Sequence, residues 1–242
     1  MFFIALVAPF IGALATFYTG FGLNTILVPI FMIYWDAPLA VMMAGLVHLA
    51  NNLVKVSLTA KSIDWHLFRY FGIPAILFAF IGAFLLKSLN DAAQLLMAPI
   101  FGAILILFAV LEFFKWRLPL KGNWSLGLGG VLSGFFGGFS GHQGALRSMF
   151  LSKLELNPLV FVASTAIISL LIDITRIGVY FSGSWLNGNY STFFVLVGVP
   201  AAITGTLIGR KYIEKVNHKN LSKIVGFALF CMGVSMVFGW VK

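Results

Sequence analysis

Apolar stretches of membrane-spanning length recur along this chain of 242 residues and constrain its fold more than any other feature. A helix of about 20 apolar residues is long enough to cross the hydrocarbon core of a bilayer. Six such stretches lie at roughly 38–59, 67–87, 94–114, 158–181, 191–212 and 222–241. Because they lack the period-2 alternation of barrel strands, we predict an all-α integral membrane protein.

The composition excludes a soluble domain. Only 10% of the residues are charged, against about 25% in soluble domains, so the chain could not cover its surface in water. Its single cysteine, Cys231, excludes an internal disulfide and a cysteine-based metal cluster. The first ten residues lack the basic region and cleavage site of a signal peptide, so we expect them in the mature protein.

The basic residues cluster in alternate connections between the apolar stretches. They lie at 61–69, 115–121 and 210–223, whereas the connection at 182–190 carries no charge. Basic loops of membrane proteins stay in the cytoplasm. We therefore predict that the three basic connections are cytoplasmic and that both termini lie outside. This orientation explains the net charge of +9 better than a nucleic-acid partner does.

Two segments must enter and leave the membrane on the same side. With the basic connections inside, helix 38–59 runs inwards and helix 158–181 runs outwards, so 2–34 and 124–153 must each return to the side where they start. Each segment contains two apolar pieces of about 12–16 residues, which are short for a full span, separated by a polar tip. We predict two helical hairpins that dip into the membrane from opposite sides.

The two halves of the chain also resemble each other. The matching positions, 120 to 126 residues apart, are 35–39 with 155–159, 72–75 with 198–201, and Asn52 and Lys55 with Asp173 and Arg176. Each half adds a hairpin and three spans, an odd number, so the second half is inverted relative to the first. Inverted repeats with interrupted helices are typical of secondary transporters.

The predicted fold is a polytopic helical bundle of two inverted repeats, each a re-entrant or short helical hairpin followed by three transmembrane helices. The first repeat covers 1–116, with its hairpin at 2–34 and helices at 38–59, 67–87 and 94–115. A cytoplasmic linker follows at 117–123. The second repeat covers 124–242, with its hairpin at 124–153 and helices at 158–181, 191–212 and 222–241.

The glycine-rich tips and the prolines that follow them carry a family resemblance. With Gly20, Gly22 and Val28-Pro29 in the first half and the turn prolines Pro38 and Pro158, the chain resembles the sulfite exporter TauE/SafE family over nearly its whole length. The second tip departs from the pattern, with Met149 at the position of the proline.

The resemblance implies a multi-pass transporter of the cell membrane. Its substrate would be sulfite or a related organosulfur anion such as a sulfonate, moved in most members outwards, and we expect alternating access as the mechanism. The lipid bilayer and the small anion are the expected partners. The coupling ion, a proton or sodium, stays open, as does a homodimer.

The second tip, GGFSGHQGALRS at 137–148, is the strongest candidate for an anion site. Glycines let the backbone approach a ligand, and a helix that starts there points free N–H groups and a positive dipole end inwards. Arg147 is the only charged residue between Asn123 and Ser152. It either contacts the anion or reaches the interface or an acidic partner. The predicted site residues are Ser140, Gly141, His142, Gln143, Gly144 and Arg147.

The first tip offers donors without a cation. Its candidate residues are Thr19, Gly20, Gly22, Asn24 and Thr25. They complete the pocket from the opposite side, or Asn24 and Thr25 merely cap their own helix.

Polar residues within two spanning helices form a second set of candidates, for the pathway or for coupling. These residues are His48, Asn51, Asn52, Asp173 and Arg176. Asp173 and Arg176, three positions apart, either neutralise each other or leave Asp173 as a proton site. His48 is either a pathway residue or a hydrogen-bonded core residue. We expect neither a metal nor a cofactor.

Two other classes of function compete with transport. Residues 138–141 spell the GxSG pattern of rhomboid proteases, which favours an intramembrane serine hydrolase using Ser140. Such an enzyme needs a histidine from a later helix, and beyond the adjacent His142 only His218 follows. A membrane receptor or scaffold is the third class, and the sequence shows no soluble domain to support it. We therefore predict a transporter without enzymatic activity.

Overall fold

The computed structural model describes residues 2–19, 23–114, 122–151, 154, 156–181, 189–212 and 218–240. Within these ranges the chain is helical and contains no β-strand. The predicted all-α helical bundle is confirmed for this part of the chain. The basic connection at 115–121, and with it most of the predicted linker 117–123, lies outside the described residues.

The described residues of the first half form seven α-helices. They are α1 (Phe2–Thr19), α2 (Leu23–Met32), α3 (Ala37–Thr59), α4 (Trp65–Leu67), α5 (Ile73–Lys87), α6 (Asp91–Gln94) and α7 (Met97–Phe113). One turn of 3₁₀ helix, Ala60–Ser62, extends α3, and a π-helical segment, Phe68–Gly72, joins α4 to α5. Pro38 lies in the first turn of α3, where its missing N–H has no intrahelical partner to lose.

Five helices are described in the second half. They are α8 (Gly122–Phe139), α9 (Gln143–Leu151), α10 (Pro158–Phe181), α11 (Asn189–Tyr212) and α12 (His218–Val237). Gly141, with φ of +79°, separates α8 from α9, because few other residues adopt this left-handed conformation. The side chain of Asn157 accepts a hydrogen bond from Leu159 N at 2.9 Å and so caps the start of α10.

Four helical segments of the described chain are long and apolar enough to cross a membrane. They are Ala37–Ser62, Trp65–Lys87, Pro158–Phe181 and Phe193–Lys211. Within the described residues, the apolar helices Met97–Leu111 and Val225–Val237 lie in the spans predicted at 94–115 and 222–241. A helix of 17 residues such as α7 is about 25 Å long at 1.5 Å per residue, which is less than the ~30 Å of an average hydrocarbon core.

Helix α5 shows the distribution of side chains expected in lipid. It buries alanines at 75, 79 and 83 and exposes large apolar residues such as Phe80 and Phe84 on the outside. The buried face packs against Gly130, Gly134 and Gly138 of α8, where any Cβ would collide with the backbone of the facing helix. Without a hydrophobic driving force between helices in lipid, small residues that allow close approach stabilise the contact.

The helices pack in pairs that join the two halves. Helix α5 packs along α8, α1 along α11, α3 along α10, and α7 along α12. In the last pair Gly102 and Gly233 face each other, and a Cβ on either would lie 2.6–2.7 Å from the other's carbonyl oxygen. The α3–α10 pair lies where the two hairpin tips meet, and this is the part of the bundle that positions the candidate site.

Candidate functional site

The connection between α8 and α9 places the second tip inside the protein. Residues Ser140, Gly141 and Gly144 of this tip are all buried, as are the side chains of His142 and Gln143. The first tip faces it, since a Cβ at Gly141 would lie 3.5 Å from Cβ of Asn24. The two tips therefore meet in the interior, next to α3 and α10.

Asp173 is the centre of a buried polar cluster between α3 and α10. His48 Nδ1 lies 2.6 Å from Asp173 Oδ2, and Asn52 Nδ2 donates to the same oxygen at 3.2 Å. Arg176 Nη2 pairs with Asp173 Oδ1 at 2.8 Å. All four residues are at most 3% exposed. The carboxylate is thus paired with Arg176 at Oδ1 and hydrogen-bonded at Oδ2, and a charge buried in this environment requires such compensation.

Arg176 connects this cluster to both hairpin tips. Its Nη1 donates to the carbonyl of Gly137 at 3.4 Å, and Cβ atoms at Gly45 and Gly141 would each lie 3.0 Å from its guanidinium nitrogens. The two glycines leave the space that the planar group occupies. The remaining contact of Arg176 is with Asn24 of the first tip.

Asn24 is fully hydrogen-bonded in this arrangement. With its amide oriented so that every atom has a partner, Nδ2 donates to Ala44 O at 2.8 Å and Oδ1 accepts from Arg176 Nη2. Asn24 therefore contacts two other helices rather than only capping its own.

Several polar groups of the tips have no partner, although they are buried. Both ring nitrogens of His142, both amide atoms of Gln143 and the hydroxyl of Thr25 make no hydrogen bond, and all three side chains are 0% exposed. The His142 ring lies beside Phe101, with ring centroids 6.0 Å apart. An unsatisfied buried donor or acceptor costs about 1–3 kcal/mol, so these groups are suited to a polar ligand.

Arg147 points towards α10. Its Nη1 donates to Thr165 O at 3.2 Å and to Ser169 Oγ at 2.5 Å. With 6% of its surface exposed it does not reach the interface, and among the described residues no carboxylate pairs with it. Arg147 therefore lies inside the bundle, where its guanidinium is hydrogen-bonded to α10.

The buried charges do not balance. Among the described residues, the buried ones with permanently charged side chains are Arg147, Arg176 and Asp173, which leaves an excess of one positive charge. Ionisable groups inside a membrane protein are by default candidates for a ligand or ion pathway. The excess of positive charge among the described residues therefore favours an anionic ligand.

Ser140 does not form a nucleophile–base pair in this conformation. Its hydroxyl donates to Phe136 O at 3.1 Å, and neither ring nitrogen of His142 has a partner. His48, whose ring contacts Asp173, belongs to the cluster described above. The side chain of His218 lies outside the described part of the chain. A serine hydrolase needs a histidine in hydrogen-bond reach of the serine.

The other predicted residues are distributed around this centre. Thr19 is the last residue of α1, and Gly20 and Gly22 lie outside the described residues. Asn51 accepts a short hydrogen bond from the hydroxyl of Thr206 on α11, and its Nδ2 has no partner. Within the described ranges no three His, Cys, Asp or Glu side chains come together as metal ligands do.

The sequence analysis missed three residues that shape the cluster. Gly45 makes room for Arg176, Ser169 accepts from Arg147, and Tyr180 donates to Gly138 O. Helical spacing could have indicated two of them, since Ser169 lies one turn before Asp173 and Tyr180 one turn after Arg176. Gly45 carries no such signal, because its role depends on a helix more than a hundred residues away.

The chain was then compared with known proteins. It matched no curated protein and no solved structure. The family model described as sulfite exporter TauE/SafE matches residues 1–236 of the 242. This match extends over both hairpins, the central cluster and α1 to α12 as described above, except for the last residue of α12. The chain therefore belongs to the sulfite exporter TauE/SafE family, a family of multi-pass membrane transporters.

Proposed function

We propose that the protein is a secondary transporter of one small anion class, sulfite and related organosulfur anions such as sulfonates, which it exports across the cell membrane. The observation that carries this proposal is the group of unpartnered, fully buried donors at the meeting point of the tips, formed by His142, Gln143 and Thr25. Two arginines and one carboxylate, Arg147, Arg176 and Asp173, are also buried in the interior. An oxyanion would accept from the donors and balance the charge.

Two inverted repeats are the architecture we propose for this transporter. In the repeat, α5 corresponds to α11, α8 to α1 and α10 to α3. The contacts α5–α8 and α5–α10 should therefore have the counterparts α11–α1 and α11–α3, and all four contacts are present. Asn52 and Asp173, matched by the sequence repeat, hydrogen-bond to each other at 3.2 Å. Residues related by a two-fold axis contact each other only when they lie next to it, so this bond supports an axis through the cluster.

Alternating access follows from this architecture. The central groups are buried on all sides, as expected of a conformation closed to both faces of the membrane. We propose that the hairpins move relative to α3 and α10 and expose the site to each side in turn, as in other transporters with inverted repeats. Proton or sodium coupling and a homodimer stay predictions.

Transport by the purified protein tests the proposal. In proteoliposomes the wild type should move sulfite, and Arg147→Ala should lose most of its affinity, about 1.5–3 kcal/mol for a charged hydrogen bond. Arg147→Lys keeps the charge but loses the planar fork, so it should keep part of the affinity. Anion-dependent thermal stabilisation measures binding in the same samples.

The matched control is Arg69→Gln, because Arg69 is an exposed arginine of the π-helical segment. It should bind and transport like the wild type. If Arg147→Ala folds normally and transports sulfite like the wild type, Arg147 is structural and the site lies elsewhere.

A further inference from the structure

His48 lies where the buried cluster adjoins the hairpin tips. Its Nδ1 is 2.6 Å from Asp173 Oδ2 and, in the amide orientation described above, 3.2 Å from Oδ1 of Asn24. Asn24 directly precedes Thr25, whose buried hydroxyl has no partner. Arg176, which pairs with the same carboxylate, also contacts Asn24. A change of charge on the His48 ring would therefore change the electrostatic potential where the tips meet.

The contacts of His48 place a proton on Nδ1 and leave Nε2 to titrate. The oxygens of Asp173 and Asn24 near Nδ1 are acceptors, so Nδ1–H donates to them and we assign the tautomer on this ground. Asn52 Nδ2, which donates to Asp173, lies 3.0 Å from Nδ1 and 3.4 Å from Nε2. A hydrogen bond of 3.4 Å is weak. A proton can therefore add to the lone pair of Nε2 at little cost in hydrogen bonding, while Nδ1 keeps its bond to the carboxylate.

The surroundings of the ring set the effect of this proton. The charged groups that act on His48 are Asp173, Arg176 and Lys55. Helices α2 and α11, which also pack against α3, contribute neutral groups here, the amide of Asn24 and the hydroxyl of Thr206, which is bonded to Asn51. The pair of Asp173 with Arg176 already compensates the carboxylate, so an imidazolium would add a second positive charge to the excess described above. A protonated His48 thus makes the interior more favourable for an anion.

The oxygens that would hold a sodium ion instead already accept hydrogen bonds. In transporters with broken helices, sodium is coordinated by carbonyls of unwound backbone and of half-helix C-terminal ends. At the end of α8, Gly137 O accepts from Arg176 and Gly138 O accepts from Tyr180. The guanidinium also repels a cation at this position. The geometry therefore favours a proton over sodium as the coupling ion.

We propose that His48 is the proton-binding site of the transporter and that each anion is carried together with one proton. The proton comes from the solvent on the side to which the site is open, adds to Nε2, and leaves from Nε2 to the solvent on the other side. No bond of the anion forms or breaks. The protonated ring attracts the anion and the anion retains the proton, because coupling between two ligands is reciprocal. This inference rests on the proposed transport function and names its coupling ion.

Calorimetry of the purified wild-type protein tests the proposal without any substitution. The probe is methanesulfonate, because sulfite itself takes up a proton near neutral pH and would obscure the result. Titrations in two buffers of different ionisation enthalpy give the number of protons taken up for each anion bound. We expect proton uptake, and an affinity that falls by up to about tenfold per pH unit as the pH rises between about 5 and 8. Binding without uptake and without pH dependence would overturn the proposal and leave the proposed function standing.

His48→Gln tests whether the proton binds at this residue. Glutamine can still donate to Asp173 but does not titrate, so we expect methanesulfonate to bind without proton uptake and with an affinity that no longer depends on pH. The matched control is His66→Gln, because His66 is an exposed histidine on α4. It should keep the pH dependence of the wild type.

His142 is the alternative proton site, since both nitrogens of its buried ring have no partner. We expect His142→Gln to weaken binding and to keep the pH dependence, which makes the test independent of how well His48→Gln folds. If His142→Gln loses the pH dependence, or His48→Gln keeps it, the proton binds elsewhere and the proposal is wrong.

Proteoliposomes with a trapped pH indicator separate this inference from the proposed function. A methanesulfonate gradient should move protons in the direction of the anion with the wild type and His66→Gln, and should move none with His48→Gln. Transport of the anion without protons by the wild type would refute the proton site alone. A wild type that neither binds nor transports an anion would refute the proposed function and the proton site together.

Discussion

The two hairpin tips meet at one place but differ in how their polar groups are used. At the first tip, both ends of the Asn24 amide are hydrogen-bonded, to Ala44 and to Arg176. At the second tip, His142 and Gln143 are equally buried and make no side-chain hydrogen bond. A buried polar group without a partner destabilises the protein unless a ligand or water satisfies it.

The sequence repeat alone would predict the same role for both tips. The difference in their hydrogen bonds indicates two roles instead, one in folding and one in binding. Asn24 of the first tip holds Arg176 in position, whereas in the proposed function His142 and Gln143 of the second tip, together with Thr25, present donors to the anion. A polar residue that has its partners supports folding, whereas one without partners is available for binding. The following substitutions test this division, beginning with the largest expected effect.

Asn24→Leu should destabilise the protein. It removes the hydrogen bonds to Ala44 O and from Arg176 Nη2, and the lost bond to a charged group alone is worth about 1.5–3 kcal/mol. We expect a lower free energy of unfolding in detergent without ligand, measured by chemical denaturation.

Gln143→Leu is the matched change at the second tip. Because its amide makes no hydrogen bond, the free energy of unfolding without ligand should change by less than about 1 kcal/mol, or rise. Stabilisation by sulfite should be reduced instead. Equal destabilisation by the two leucine variants would contradict the division between the tips.

Gly141→Ala should cost about 1–2 kcal/mol of stability, because an alanine resists the left-handed conformation at φ of +79°. Its Cβ would also lie 3.0 Å from Nη1 of Arg176. We expect a lower thermal midpoint and weaker anion binding. In Gly178→Ala, on α10, the new Cβ meets no atom within 4 Å, so that variant should be neutral or more stable. If both alanines had the same effect, the tip conformation would not matter.

Ser140→Ala should have the smallest effect. The hydroxyl bonds to Phe136 O within its own helix, so an added contact to the anion contributes about 0.5–1.5 kcal/mol to affinity. A fluorophosphonate probe should leave Ser140 unmodified. Covalent labelling of Ser140, and its loss in the alanine variant, would favour the serine hydrolase over the transporter.

The helical bundle could be predicted because its signal is local. Lipid admits helices with all backbone hydrogen bonds made internally, so an apolar run such as 158–181 indicates a helix by itself. The break at Gly141 could be anticipated in the same way, from the glycines around it.

The pairing of His48 with Asp173 could not be predicted from the local sequence pattern. The two residues are 125 positions apart, and their contact depends on how α3 and α10 are rotated about their axes when they pack. The same holds for Lys55 and Arg210, which share a cavity although 155 residues separate them. A rotation of either helix would turn these side chains elsewhere without changing the apolar pattern.

The sequence by itself determined that this protein lies in a membrane as helices, where the chain breaks, and to which family it is similar, since each depends on residue type and spacing along the chain. Only the tertiary structure decided which polar groups meet. It paired Asp173 with residues of the other half and left His142 and Gln143 without partners. Both outcomes affect the stability of the protein because these groups are buried. A polar group is solvated in water, whereas in the interior it raises the free energy of the folded state unless a partner or a ligand satisfies it.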